Sequence, residues 1–590
     1  MSSHVLPAAV FIVGGLLIPF LKGRVKSFYM LLLPVLGLIN LVYLPMGSSL
    51  SFHILDSDLV LLRVDRLSLL FGYIFHIISF LTVMYILHVK NDVEYTAGFI
   101  YAGAALGTVF AGDLLSFFIF WEMLTVGSVM LIWTRRTKAA LAAGFRYLLV
   151  HVFGGLILLA GIVMYVSSRG SLAFGYIGLG AISTYFIFIG IGLNCAWPLL
   201  HTWLTDAYPE ATIGGTVFLS AFTTKTAVYA LARAYPGAES LIWIGAVMTA
   251  FPIFYAVIEN DLRRVLAYSL VNQVGFMVVG IGIGTELAIN GATAHAFNDI
   301  LFKGLLFMSM GAVMHRTGKI NATDLGGLYK SMPWTTAFCI VGAASISAFP
   351  FFSGFVSKSM VMEAAAHGHL FAVWLVLLFA SAGVFHHAGI KIPFFAFFSH
   401  DAGHRVEEAP LNMLISMGIT AFLCVFIGTF PQISLYKILP YAVDYAPYTA
   451  SHVMAQTQLL FFSALAFSLL LLAGIYPSEL RAINLDVDWV YRKGGRLFSS
   501  VMATSLNGIN RMAEQMFIGI FIGGLSRFFR NGPANLLFLF LKPYWKLCRL
   551  TEMEQDAARE KLYHQIEAGV LPLSIMGLFA MVYLGLLFLL

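Results

Sequence analysis

Residues 114–133 read LLSFFIFWEMLTVGSVMLIW, twenty residues carrying a single charge, Glu122. Wound as a helix at about 1.5 Å per residue, such a run reaches about 30 Å, the thickness of a bilayer's hydrocarbon core. A carboxylate at that depth costs about 3 kcal/mol even on lenient insertion scales, so its presence points to function. Comparable apolar segments recur along the chain at 5–21, 28–46, 67–87, 95–111, 142–166, 176–202, 212–235, 241–258, 265–284, 292–314, 334–350, 361–398, 410–430, 457–476 and 573–590. The pattern predicts an all-α polytopic membrane protein.

Composition agrees. Of 590 residues, 59% are hydrophobic and 11% are charged, against about 25% charged in soluble domains. An ordinary soluble enzyme is excluded. The net charge of +6 does not indicate nucleic acid, because the basic residues sit in short clusters between apolar runs. Lys22, Arg24 and Lys26 follow the first span; Arg135, Arg136 and Lys138 the fifth; Arg263 and Arg264 the ninth; Arg316, Lys319 and Lys330 the eleventh. All are odd-numbered loops, so the positive-inside rule puts them in the cytoplasm and the N-terminus outside. The apolar run at the N-terminus lacks a basic leader and reads as a first spanning helix.

Residues 477–572 differ. Charges and aromatics interleave from Glu479 to Arg496, apolar stretches follow at 516–525 and 534–541, and a charged run covers 551–567. Thr551 and Glu554 have capping-box spacing. The expected domains are therefore a spanning core over 1–476, a cytoplasmic amphipathic or lateral extension over 477–572, and a terminal spanning helix over 573–590.

Four ionisable residues stand out most clearly within apolar segments: Glu122; Lys225 in LSAFTTKTAVYALA; Lys303 in HAFNDILFKGLLFM; and Lys391 in HHAGIKIPFFAFF. His295, Asp299 and Lys303 follow an i, i+4, i+8 spacing, which sets them on one helix face. A carboxylate near a lysine favours both charged forms, so a proton passes when the neighbouring charge comes and goes. The static alternative is an ion pair that only holds helices together. Pro393, two residues after Lys391, and Pro198 in NCAWPLLHTWL each remove a backbone bond, which predicts broken helices of the kind that mark ion paths in transporters. Asp113 and His151 are weaker candidates, the first at an interface and the second either a proton relay or, as is commoner for a lone histidine, a hydrogen-bonded packing residue. His386 and His387 are adjacent and do not form a chelating face. Cys195, Cys339, Cys424 and Cys548 are far apart, and no CxxC, GxxxxGK[ST], strand-linked GxGxxG or HExxH motif occurs. No cofactor or metal site is expected, so energy comes from an ion gradient or from partner subunits.

DLLSFFIFWE (113–122), HTWLTDAYPEA (201–211), ENDLRRVLAYSLVNQVGF (259–276), FKGLLFMSMGAV (302–313) and FSGFVSK (352–358) resemble, in this order, the antiporter-like subunits shared by Mrp cation/proton antiporters, respiratory complex I and membrane-bound hydrogenases. The nearest likeness is to the D subunit of Mrp-type Na⁺/H⁺ antiporters, over roughly residues 60–430. The resemblance implies a 14-helix core of two inverted five-helix repeats, each with a broken helix. It implies that Glu122 modulates lysine protonation, that Lys225 and Lys303 lie on a central hydrophilic axis, and that Lys391 falls in the second broken helix. Two departures stand out: Asn194 replaces a lysine of the first broken helix, and Asp299 stands where histidine is usual. Asp299 is thereby a candidate Na⁺ contact, or a group holding Lys303 charged.

The expected function is one component of a multisubunit Na⁺/proton antiporter in a prokaryotic inner membrane, assembled with other integral membrane subunits. A proton-translocating subunit of a redox complex and a membrane anchor for a soluble carbon-handling or hydrogenase module are the alternatives.

Overall fold

A computed structural model describes residues 5–47, 49–54, 57–477, 479–482, 484–569 and 573–589. The chain divides into two compact units, Met1–Asp486 and Val487–Leu590.

The first unit is a helical membrane domain. It opens with α1 (Pro7–Leu17) and α2 (Gly23–Tyr43), then a two-stranded antiparallel hairpin, β1 (Ser49–Ile54) and β2 (Ser57–Arg63), with a register shift at Leu50/Ser51. There follow α3 (Arg66–Tyr85), α4 (Asp92–Phe110), α5 (Leu114–Trp133), α6 (Lys138–Arg169), α7 (Ile182–Asn194), α8 (Thr202–Ala207), α9 (Ile213–Ala221), α10 (Thr223–Ala234) and α11 (Glu239–Ile258). The series continues with α12 (Leu262–Ile283), α13 (Glu286–Thr317), α14 (Pro333–Ile346), α15 (Ser353–His367) and α16 (Phe371–Val384), and ends with α17 (Lys391–Pro393), α18 (Leu411–Thr429) and α19 (Ala450–Leu472). Among the described residues ten helices are long and apolar enough to cross a membrane, and four shorter apolar helices accompany them.

Burial sorts these helices. In α12 and α13, 94% of the apolar window is enclosed by protein, against 33% in α6 and 11% in α19. On α6 the exposed face carries Leu149, Phe153, Leu156 and Val163, a lipid-facing stripe at helical spacing. The polar residues of α12 and α13 are thus kept from lipid by the helices around them. The backbones of α11 and α12 come very close: a Cβ on Gly245 would lie 2.6 Å from the Val279 amide nitrogen.

Two predicted spans are interrupted. The run 176–202 is helical only to Asn194, after which Ala196 (φ 59°) and Leu199 (φ 70°) enter the left-handed region. The run 334–350 ends as helix at Ile346, and Ala348 (φ 60°) and Phe351 (φ 72°) do the same. The turns also share hydrogen bonds: the Trp197 amide reaches Gly192 O, and the Phe349 amide reaches Ala344 O. One irregular turn is therefore used twice, 152 positions apart. Left-handed non-glycine residues cost about 1–3 kcal/mol each and persist where the surroundings over-determine them.

The second break differs from the expectation. Pro393 does not interrupt the chain near Lys391. Instead α16 continues through π-helical turns, Phe385–Ile390 and Phe394–Phe398, on either side of α17. Shifting the ladder to i→i+5 leaves no bond that needs the proline N–H, so the rod widens rather than breaks. The discontinuity lies instead at 347–352, ahead of α15.

The second unit comprises α20 (Asp488–Glu514), a π-helical stretch Gln515–Ile522, α21 (Gly523–Leu547), α22 (Glu552–Glu567) and α23 (Leu573–Leu589). α20 is amphipathic, with Arg492, Lys493, Arg496 and Arg511 against exposed Leu497, Val501 and Ile509. Thr551 and Glu554 form the expected capping box at the head of α22, the Thr551 amide donating to Glu554 Oε2 at 2.9 Å.

Candidate functional site

The breaks and helix ends decide where the buried lysines go. The segment 212–235 is interrupted at Phe222 between α9 and α10. Lys225, in the first turn of α10, donates to Ser220 O at 2.9 Å. Lys358, one turn into α15, donates to Ile346 O, the last carbonyl of α14, at 2.7 Å. Lys391 donates to carbonyls at the end of α11, Val257 O at 2.6 Å and Glu259 O at 2.7 Å. C-terminal carbonyls carry the negative end of the helix dipole and lack intrahelical donors, so each gains a partner and each ammonium a favourable field.

The α13 residues lie in the most enclosed part of the domain. His295, Asp299 and Lys303 are fully buried, but they do not pair along their own helix. Asp299 Oδ2 lies 2.5 Å from Lys225 Nζ, so α10 rather than α13 supplies its counter-ion. Lys303 donates to Ser269 Oγ on α12 at 2.7 Å. His295 Nδ1 meets Ser357 Oγ on α15 at 3.0 Å. The expected Asp299–Lys303 pair is thus replaced by a cross-helix pair, because the break before α10 brings Lys225 to the carboxylate first. The oxygen considered for Na⁺ contact holds an ammonium.

Lys358 extends this line and was not among the expected residues, although FSGFVSK contains it. It adjoins Ser357, is almost fully buried, and sits 5.1 Å from the centre of the Phe276 ring. Lys225, Asp299, Lys303, His295 and Lys358 thus form one enclosed polar series on α10, α13 and α15.

Glu122 stands apart. It is half-buried on α5, its Oε1 lacks a hydrogen-bond partner among the described residues, and it packs against Gly155 of α6. Asn194 is buried at the end of α7 with its amide nitrogen unpartnered among the described residues. Asp113 is an N-cap, accepting from the Ser116 and Val60 amides at 2.7 Å. His151 stacks on Tyr147 at 3.9 Å and its Nδ1 meets Tyr147 O, while its buried Nε2 lacks a partner among the described residues.

Two carboxylates from the stretch after α19 enter the first unit. Glu479 Oε1 lies 2.8 Å from Lys391 Nζ. Asp486 Oδ2 lies 3.0 Å from His201 Nε2 and accepts from the Tyr268 hydroxyl at 2.8 Å. Sequence reading placed this stretch outside the core; two carboxylates close behind an apolar span were the available signal. Burial pushes the Glu479 carboxyl above its usual range, and the Lys391 ammonium opposes that shift.

Residues 111–376 match the family model described as NADH:quinone oxidoreductase/Mrp antiporter, TM. The A subunit of the Na(+)/H(+) antiporter of Alkalihalophilus pseudofirmus is 31% identical over 435 residues, 65% of this chain and 54% of that protein. The chain therefore spans a little over half the length of that curated relative, which carries the letter A where the sequence motifs pointed to D. Among solved structures, the Mrp complex from Dietzia sp. DQ12-45-1b aligns with TM-score 0.72 at 22% identity, over 88% of this chain and 63% of that one. The membrane-bound sulfane sulfur reductase, an archaeal respiratory membrane complex, aligns with TM-score 0.68 at 24% identity, over 88% of this chain and 95% of that one. The fold is the antiporter-like one.

Proposed function

We propose, on the premise that residues 111–376 fall in the NADH:quinone oxidoreductase/Mrp antiporter family, that the chain is one component of a multisubunit Na⁺/proton antiporter. It works in a prokaryotic inner membrane beside other integral subunits, with its N-terminus outside. Protons move along the enclosed series from Lys225 and Asp299 to Lys303, His295 and Lys358, with Glu122 and Lys391 at its flanks and water in the gaps. The observation that carries this reading is the Lys225–Asp299 pair at 2.5 Å, fully buried, with Lys303 one turn further along α13. Such a group passes a proton when the charge beside it changes, and a membrane potential biases it by about 2.3 kcal/mol per charge per 100 mV. On this reading the core holds two repeats, and the doubled turn at 196–199 and 348–351 supports that.

The test is sodium-dependent ΔpH in everted vesicles holding the chain with its partner subunits. Lys303→Ala is expected to abolish exchange with normal assembly; unimpaired exchange would overturn the reading. A second reading, a proton-translocating subunit of a redox-driven complex, is favoured by length, since the alignment takes in 95% of the sulfane sulfur reductase chain. Proton movement that requires an electron donor and ignores sodium would select it.

A further inference from the structure

The ammonium of Lys391 is surrounded by oxygen. Val257 O, Glu259 O and Ala256 O accept from Nζ at 2.6, 2.7 and 3.3 Å, and Glu479 Oε1 lies at 2.8 Å. Lys391 is fully buried and the Glu479 side chain nearly so. Four oxygens face a group with three N–H donors.

The carbonyls are free for a specific reason. In a continuing helix, Ala256 O and Val257 O would accept from the amides of Asn260 and Asp261. Glu259 Oε1 takes both amides instead, at 2.9 and 3.1 Å. Glu259 is itself buried, and its Oε2 is held by Asn484 Nδ2 at 3.1 Å. The stretch after α19 thus supplies one oxygen of the cage through Glu479 and, through Asn484, fixes the side chain that frees two others. Spare polar capacity remains. Glu479 Oε2 lacks a hydrogen bond among the described residues, as does the hydroxyl of Tyr476, whose side chain is buried.

Carbonyls at a helix C-terminus and one carboxylate are the ligand set that membrane transporters use for alkali cations. An ammonium is the nearest chemical analogue of such an ion. We propose that this cage is a monovalent-cation site, that the Lys391 ammonium is its tethered resident, and that a sodium ion takes its place once Lys391 has released its proton and swung out. One proton leaves and one cation enters, so the charge of the cage is unchanged. The site deepens the antiport reading and rests on it.

The experiment measures equilibrium binding of radioactive sodium to the purified full chain in lipid nanodiscs, with choline chloride as the ionic control. The wild type is expected to take up sodium as the pH is raised from neutral to alkaline, releasing one proton per ion. Lys391→Met leaves the oxygens without their tethered ion, and is expected to bind at least tenfold more tightly with little pH dependence. Glu479→Gln should weaken binding at least tenfold. Because Lys391→Met removes a buried cation and unfolding would mimic failure, Lys391→Arg is the second variant: its guanidinium keeps the cage filled at every pH used and should prevent uptake. No sodium uptake by the wild type at alkaline pH, or uptake undiminished by Lys391→Arg, overturns the proposal. Sodium/proton exchange without binding here strikes the cage alone, whereas binding here without exchange strikes the antiport reading alone.

Discussion

Lys225 Nζ and Asp299 Oδ2 meet at 2.5 Å with both side chains fully enclosed. The carboxylate is one helical turn from Lys303, so a single anion stands between lysines on α10 and α13. Breaking a buried pair by removing one partner costs about 3–5 kcal/mol, whereas replacing both with apolar groups costs far less. We expect Asp299→Ala and Lys225→Met each to lower the melting temperature strongly, and the double variant to recover much of the loss. Thermal unfolding of the three variants checks this, and additive effects would remove the coupling. Asp299→Asn should reduce exchange at least tenfold, since an amide cannot hold the lysines' charge.

Glu122 and Gly155 form the corresponding close contact in the first half. A Cβ on Gly155 would lie 2.0 Å from Glu122 Oε1, so the carboxyl occupies space that only glycine leaves. Gly155→Ala is expected to push the carboxyl aside at an overpacking cost of about 1–3 kcal/mol. A displacement of about 1 Å in a reacting group lowers rates up to about 100-fold, and exchange in everted vesicles should fall by about that order. Gly154→Ala meets only the flexible end of Leu193, at 3.1 Å, and should change little.

The spanning segments were legible because a run such as 114–133 admits only one environment, and the ordered motifs pointed to the fold. Pairing was not. The spacing of Asp299 and Lys303 is a property of one helix, while the contact that forms depends on the break at Phe222, which no residue type announces. Pro198 announced the turn after α7, whereas the turn at Ala348 went unread, since alanine gives no sign of a left-handed backbone. Pro393 illustrates the converse: a strong local signal was absorbed by π turns. Glu479 and Asp486 escaped notice because charge in a polar stretch reads as solvated, and only tertiary structure carries them into the core.

Just ahead of the apolar helix α3, Asp65 ties α3 to α10. It caps α3 through the Ser68 amide at 2.9 Å and receives both Arg233 bonds, at 2.7 and 2.8 Å. Burial raises its pKa, but Arg233, the Ser68 amide and Arg63 outweigh it and hold the carboxyl below its usual range. A carboxyl depressed in the folded state adds stability above its unfolded pKa of about 3.9, and that stability is lost as pH falls through the lower folded value. Asp65→Asn is therefore expected to melt lower at neutral pH and to show a shallower loss below about pH 4. Melting curves across that range decide; parallel curves would remove Asp65 from the acid transition.

Lys358 is where the enclosed series either ends in a proton carrier or in a structural cap. Its ammonium donates to Ile346 O at 2.7 Å and lies over Phe276 at 5.1 Å, both of which a guanidinium reproduces. Its neighbour Ser357 meets His295 at 3.0 Å, which joins it to the polar line. The two roles separate on one property: lysine releases its proton when buried, whereas arginine stays charged. Lys358→Met is expected to lose both stability and exchange. Lys358→Arg should assemble and melt close to the wild type yet exchange at least tenfold more slowly. An arginine variant that exchanges at the wild-type rate would make Lys358 a cap for the broken helix and end the proton line at His295.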